Sequence, residues 1–439
     1  MVVDNIIFLI FFIVFIAIWV FISRITLGNI FAVNILGFLN LNIFIFQIVG
    51  IPFLYFGLFS DRAEDGITNQ SLIFLVLIYS STSVLLLNVG YFIAKSLFRL
   101  ENNVVFVNRS DIIPESSILP KVNFVGLICT VFSLVYYYSQ GFENLAITAI
   151  LNNLDASEVA IARSTMTNNY AGNLHWIKFV TNDLFFFVIL YLSILFIKNE
   201  LKNKIFFIVF TFIFSINLLV TTEKAPIIDF LIAILMLKYI FLNPQKLNIY
   251  KTAIPFFLIL VVLVFVYKSF MPISSLSQVL YSIISRTLGG QVQVAYYYLE
   301  FFPNFHPFLN GSSFPNPGGI LPFTNFPLTQ KVHSWVHPEL ANVGIIGSMP
   351  TIFWGELYAN FGLLGVIFLT PIIGIFLYIL NWYFNSHNNS FLGLSLFVFL
   401  IFHYKNLALS SLSNYIFDLN LILIFIISLI FRIKYKQNG

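Results

Sequence analysis

The sequence predicts an all-α fold, a polytopic helical membrane protein, and three observations carry that reading. Hydrophobic residues make up 59% of the chain and charged residues 9%, with a mean hydropathy of +0.92, whereas a soluble domain carries roughly 25% charge. The apolar residues come in continuous runs and not in alternation, which excludes a membrane β-barrel. Each run is close to the ~20 residues that take a helix across a hydrocarbon core.

Apolar windows at 5–23, 30–58, 71–94, 122–139, 179–197, 205–222, 226–242, 252–271, 364–384, 391–409 and 414–431 give about 11 transmembrane helices in a single membrane domain. The first resembles the apolar core of a signal peptide, but Asp4 stands where basic residues would, and no small-residue cleavage site follows. It is read as a retained span. The second is long enough to tilt or turn back, and its Asn34, Asn40 and Asn42 are expected to face protein and not lipid.

Basic residues cluster at 95–109, 198–204, 238–251 and 432–436. Placing the last cluster in the cytoplasm puts most of the 22 lysines and arginines on that side with few acids, as positive-inside insertion requires. The net charge of +4 then reports the sidedness of loops and implies no nucleic acid. Expected partners are membrane lipids and lipid-linked molecules. The single cysteine, Cys129, lies in an apolar run and allows no intrachain disulfide.

This topology leaves two long segments on the outer face, 140–178 and 272–363. In the first, Ile147, Ile150, Leu151 and Leu154 recur at helical spacing, which predicts a helix on the membrane surface, and Arg163 and a polar run to Tyr170 follow. The second holds more than half of the 16 prolines and opens with Leu276, Leu280, Ile283 and Ile284 on one helical face, with Arg286 just beyond. Loops longer than about 15 residues are functional or disordered, and the aromatic content here argues against disorder.

Arg163 and Arg286 present planar forks that match phosphate oxygens; the alternative is that each is a solvated loop charge or an interfacial anchor. Lys224, in the tight connection Thr221–Pro226, is either a third cation for a diphosphate or a snorkelling lysine neutralised by Glu223. His333 and His337 stand four apart, but Pro338 and the Pro/Gly-rich surroundings argue against a regular helix there, and no cysteine or third histidine is near enough to predict a metal. They are candidates for a general base or a sugar-hydroxyl partner, against the plainer reading of loop histidines; His306, between Pro303 and Pro307, is weaker. Glu356, at the mouth of the span expected at 364, either pairs with Arg286 or Lys224 or takes a proton from an attacking hydroxyl. Trp335, Trp354, Tyr358 and the run Tyr296–Tyr298 are surfaces for stacking on sugar rings, or members of an interfacial aromatic belt. No phosphate-cradling glycine loop, nucleophilic triad spacing or acidic pair in an outer loop is present, so neither a nucleotide-driven reaction nor a cofactor is predicted.

The run Asn342–Thr351, continuing through Gly355-Glu356-Leu-Tyr358-Ala-Asn360-Phe-Gly362 to Gly365, resembles the segment that closes the large outer loop of the oligosaccharide repeat-unit polymerases, the Wzy-type O-antigen or capsule polymerases. Arg163 and Arg286 resemble that family's paired loop arginines. The arginine-to-glycine spacing found in some members is not kept, since Gly172 lies too close to Arg163 and Tyr297 stands where that spacing from Arg286 would place the glycine.

The resemblance implies a GT-C-like fold and a metal-independent membrane glycosyltransferase. Such an enzyme joins polyprenyl-diphosphate-linked oligosaccharides into O-antigen or capsular polysaccharide on the outer face of the bacterial cytoplasmic membrane. It further implies Arg163, Arg286 and Lys224 on the diphosphate, Glu356 or a loop histidine as base, and a chain-length regulator protein as a partner. The rival readings are an O-antigen ligase, whose His-x-His-Asn-like motif His333–His337 does not match, and a lipid-linked oligosaccharide flippase, which would concentrate ionisable groups at mid-bilayer.

Overall fold

The computed structural model describes residues 2–29, 32–98, 118–152, 156–168, 172–201, 203–220, 222, 225–241, 261, 264, 275–342, 347–386 and 390–432. Its elements are helices throughout. Eight are long and apolar enough to cross a membrane: Val3–Leu27, Ile35–Tyr55, Gln70–Phe98, Leu119–Gln140, Leu174–Ile197, Phe353–Phe384, Phe391–Ala408 and Ser413–Arg432. The windows at 205–222 and 226–242 form the shorter helices Ile205–Val220 and Ala225–Phe241, and the window at 252–271 lies outside the described residues apart from 261 and 264. The span expected from 364 begins instead at Phe353, so the part of the polymerase-like segment from Phe353 to Gly365 is helical and not the end of a loop.

The chain divides into two compact units, each assembled from separated stretches. The first comprises Met1–Asn102, Tyr281–Tyr383 and His403–Asp418. Its polar side chains meet one another inside, as hydrocarbon surroundings demand. Asn40 and Asn88 exchange amide hydrogen bonds of 3.0 and 3.2 Å, Asn381 donates to the Tyr91 hydroxyl at 3.0 Å, and the Asn34 side chain caps its helix by accepting from the Gly37 N–H at 2.7 Å. Asn34, Asn40 and Asn42 are all buried, as their apolar context predicts. Helices Gln70–Phe98 and Phe353–Ser386 approach closely at two glycines. A Cβ at Gly90 would fall 2.0 Å from the Pro371 carbonyl oxygen, and one at Gly374 would fall 2.2 Å from that of Leu87. Small residues at such contacts let helices pack where lipid supplies no hydrophobic drive.

The second unit comprises Asn103–Leu280, Phe384–Phe402 and Leu419–Gly439. Its centre is aromatic. Phe185 and Phe186 pack on Phe214, and Phe186 also meets Phe399 and Phe402. Lys121 donates to the Phe431 carbonyl at 3.1 Å, a cation placed at the negative end of helix Leu419–Arg432. In the stretch expected to lie on the membrane surface, the structure forms helices Ala146–Leu151 and Ala156–Asn168.

Helix Leu276–Ile284 forms where its spacing predicts, with Leu276, Leu280 and Ile284 exposed and Val279 fully buried. An exposed apolar stripe is the face such a helix presents to hydrocarbon.

Gly90→Ala is expected to lower stability by about 1–3 kcal/mol, because the new methyl meets backbone that cannot swing aside. Gly290→Ala, whose nearest neighbour would be an arginine methylene at 4.0 Å, should be tolerated. Thermal unfolding of the two variants in the same detergent checks the contrast.

Candidate functional site

Arg286 sits on a π-helical turn, Ser285–Gly289, between helices Leu276–Ile284 and Gly290–Phe301. Such turns insert an extra residue into the helix, redirect the side chains they carry and recur at functional sites. Glycine lets this one pack closely, since a Cβ at Gly50 would lie 1.9 Å from the Leu288 carbonyl oxygen. Bracing comes from the connection at 59–69. Arg62 donates from Nε to Ser285 Oγ at 3.2 Å and from a terminal nitrogen to Gln293 Oε1 at 2.7 Å, and it pairs with Asp61 and Asp65 at 3.4 Å each. Ser285 and Tyr281 donate in turn to Asp61, at 2.7 and 2.9 Å. Arg286 itself is exposed, with no hydrogen bond or ion pair to any described residue.

Partial burial acts to raise the Asp61 pKa, but the Ser285 and Tyr281 hydroxyls and the Arg62 charge outweigh it and hold the carboxyl below its usual value. Burial pushes the Tyr297 phenol up, and its hydroxyl donates to the Asp65 carbonyl at 2.7 Å.

The segment from Pro350 to Gly362 fastens the large loop. Glu356 is 1% exposed. Its Oε1 accepts from the Ser313 and Ser413 hydroxyls and its Oε2 from the Ser413 N–H, all at 2.8 Å. These donors are neutral; a pair with Arg286, one of the alternatives, does not form. Gly362 (φ 61°, ψ −151°) breaks the helix in a conformation that only glycine takes readily. The break frees the carbonyls of Ala359 and Asn360, which would otherwise bond four residues on. They accept instead from the N–H groups of Leu309 and Asn310, at 3.0 and 2.9 Å. The Asn360 side chain accepts from the Gly311 N–H at 2.9 Å and donates to Ser313 Oγ at 2.7 Å.

Of the aromatic candidates, Trp354 is fully buried and stacks on Tyr79 at 5.4 Å, which leaves no face for a sugar. Tyr358 is half-buried and donates to the Phe302 carbonyl at 3.2 Å, while Tyr296, Tyr297 and Tyr298 are buried. Trp335 remains half-exposed, edge-on to Phe301 at 5.3 Å.

A regular helix, Leu328–Val336, does form through His333, because Pro338 lies beyond its end and leaves its hydrogen bonds intact. His333 packs its ring on Gly347, its Nδ1 is buried without a hydrogen-bond partner among the described residues, and burial lowers its pKa. His337 lies with Nδ1 3.4 Å from Glu339 Oε1, the arrangement of a base oriented by a carboxylate. His306 Nδ1 meets the neighbouring Pro307 carbonyl at 2.7 Å.

A second cluster lies where helix Phe391–Tyr404 passes into the 3-10 turn Lys405–Ala408. His403 Nε2 meets the Tyr415 carbonyl at 2.9 Å and Nδ1 lies 3.7 Å from Asp418; Lys405, 4% exposed, donates to Asn406 Oδ1 at 3.2 Å.

Arg163 belongs to the second unit, on helix Ala156–Asn168, and lines a cavity with Tyr136, Tyr137, Lys178, Thr181, Asn182 and Asn217. Lys224 lies outside the described residues.

Comparison of the chain with protein-family models, with curated proteins and with solved structures finds no match. The sequence reading missed Arg62 and Lys178. The run Asp61-Arg62-Ala-Glu-Asp65 in a short connection is a visible signal for the first. Lys178 had none, because its neighbours in the cavity come from distant stretches.

Because the Asp61 carboxyl is depressed in the folded chain, its contribution to stability is full above the unfolded carboxylate value of about 3.9 and is lost as pH falls through the lower folded value. Asp61→Asn should therefore lower Tm at neutral pH, with the gap to the parent protein closing in strong acid. Tm measured against pH for both proteins checks it.

Proposed function

We propose that the protein is a membrane glycosyltransferase that polymerises polyprenyl-diphosphate-linked oligosaccharide repeat units at the outer face of a bacterial cytoplasmic membrane. The observation that carries this reading is the contrast between two neighbouring cations. Arg62 is committed to ion pairs and hydrogen bonds that brace the π turn, while Arg286 on that turn is exposed and has no hydrogen bond or ion pair to a described residue. The segment resembling the repeat-unit polymerases supports the reading as well, since its Glu356, Asn360 and Gly362 hold the loop that follows Arg286 in the same unit.

In the reaction, the terminal sugar hydroxyl of one lipid-linked unit attacks the anomeric carbon of the glycan on the other lipid. The new C–O bond forms as the bond to diphosphate breaks, and the hydroxyl proton passes to a base. Arg286 stabilises the charge that develops on the departing diphosphate. Both Glu356 oxygens are occupied by donors, so His337 with Glu339 serves better as the base. Trp335 is the aromatic surface left for a sugar.

A transporter is the second reading, favoured by the burial of Lys405 and His403 beside a broken helix, since ionisable groups at such breaks line transport paths.

Purified protein in a bilayer, given one defined lipid-linked repeat unit alone, is expected to make a ladder of longer glycans. A ligase would make none, and neither would a transporter, which would move the lipid across instead. Arg286→Ala should slow the ladder by about 10²-fold, with Arg286→Lys in between. A normal ladder from Arg286→Ala at normal protein level would remove the assignment.

A further inference from the structure

A cavity in the second unit holds about 70 Å³, and its lining among the described residues includes two cations, Arg163 and Lys178, and no acid. By the measure in which one water needs about 10–15 Å³, that is room for several waters, and so for a phosphate group. The π-helical turn Phe179–Leu184 shapes one wall. There Asn217 donates to the Thr181 carbonyl at 3.0 Å and to Ser133 Oγ at 2.9 Å, and accepts from the Tyr137 hydroxyl, so these groups are already satisfied by one another. Two donors are not. Lys178 makes no hydrogen bond or ion pair to a described residue, and the Asn182 side chain accepts from Thr181 at 3.3 Å while its amide N–H groups have no acceptor among the described residues. Asp183, next on the turn, is turned to Asn420 at 2.8 Å and is not among the lining residues. Tyr136 adds a phenol to the lining, and Met166, Leu174, Ile177 and Val220 supply hydrocarbon.

Surplus donors and positive charge on one side, with apolar side chains on the other, match an anionic head joined to a hydrocarbon tail. We propose that this cavity binds the phosphate end of a phosphorylated lipid, with Lys178 and the Asn182 amide as donors beside Arg163 and the start of the tail along Leu174 and Ile177. This rests on the polymerase reading only where it takes the lipid to be a polyprenyl diphosphate.

Trp176, exposed on the helix Leu174–Lys178, gives a local signal, and Trp176→Phe assigns it. The full chain in nanodiscs is titrated with polyprenyl diphosphate, with phosphatidylglycerol and with inorganic pyrophosphate. Saturable binding of polyprenyl diphosphate is expected, weakened about tenfold by Lys178→Gln and by Asn182→Ala and largely kept by Lys178→Arg. Pyrophosphate should bind at the same site but more weakly, lacking the tail. Binding unchanged in both Lys178→Gln and Asn182→Ala would overturn the proposal, as would pyrophosphate binding as tightly as the lipid, or phosphatidylglycerol matching polyprenyl diphosphate through a headgroup contact insensitive to Lys178. Lys178-dependent binding in a protein that makes no glycan ladder would leave this site standing and remove the polymerase; a ladder from a protein with no such binding would do the reverse.

Discussion

A carboxylate inside an apolar helix bundle must find donors, and the way Glu356 finds them organises the first unit. Leaving it bare would cost several kcal/mol. No cation comes to it among the described residues; two serines and a backbone N–H do, one serine from the large loop and the other, Ser413, from the start of the span Ser413–Arg432. Three stretches far apart in sequence are thereby held at one point. The Gly362 break completes the fastening, because the carbonyls it strips of helical partners are the ones that take up the loop backbone.

The same unit separates two tasks that arginine can perform. A guanidinium held by two carboxylates, a serine and an amide is a brace, and Arg62 holds the π turn to the connection before helix Gln70–Phe98. The guanidinium of Arg286, on that braced turn, is exposed and has no hydrogen bond or ion pair to a described residue. The second unit repeats the pattern in another form, with Asn217 and Tyr137 fixing a wall and Lys178 without a partner among the described residues.

Much of the fold is legible in the sequence, because burial in hydrocarbon leaves a plain mark. Eight of the apolar windows, the inward-facing Asn34, Asn40 and Asn42, and the helix at 276–284 follow from composition and spacing. The end of the large loop does not. Gly355 and Gly362 read as loop residues, yet one lies in helix Phe353–Ser386 and the other breaks it. Partnerships across the chain are also invisible, since Arg62 meets Ser285 at a separation of 223 residues, and no local pattern announces that pair. Trp354 and Trp335 look alike in sequence as aromatic surfaces, and only packing distinguishes the buried ring from the open one.

If Glu356 is the fastening point, its bond to Ser413 must be energetically coupled and not merely close. A double-mutant cycle of Glu356→Gln and Ser413→Ala, read by chemical or thermal unfolding in one detergent, tests this directly. A coupling energy of about 1–3 kcal/mol is expected for a buried hydrogen bond to a charged group. Strictly additive effects would show that the carboxylate holds nothing there, and the account of the loop as a fixed scaffold would fail.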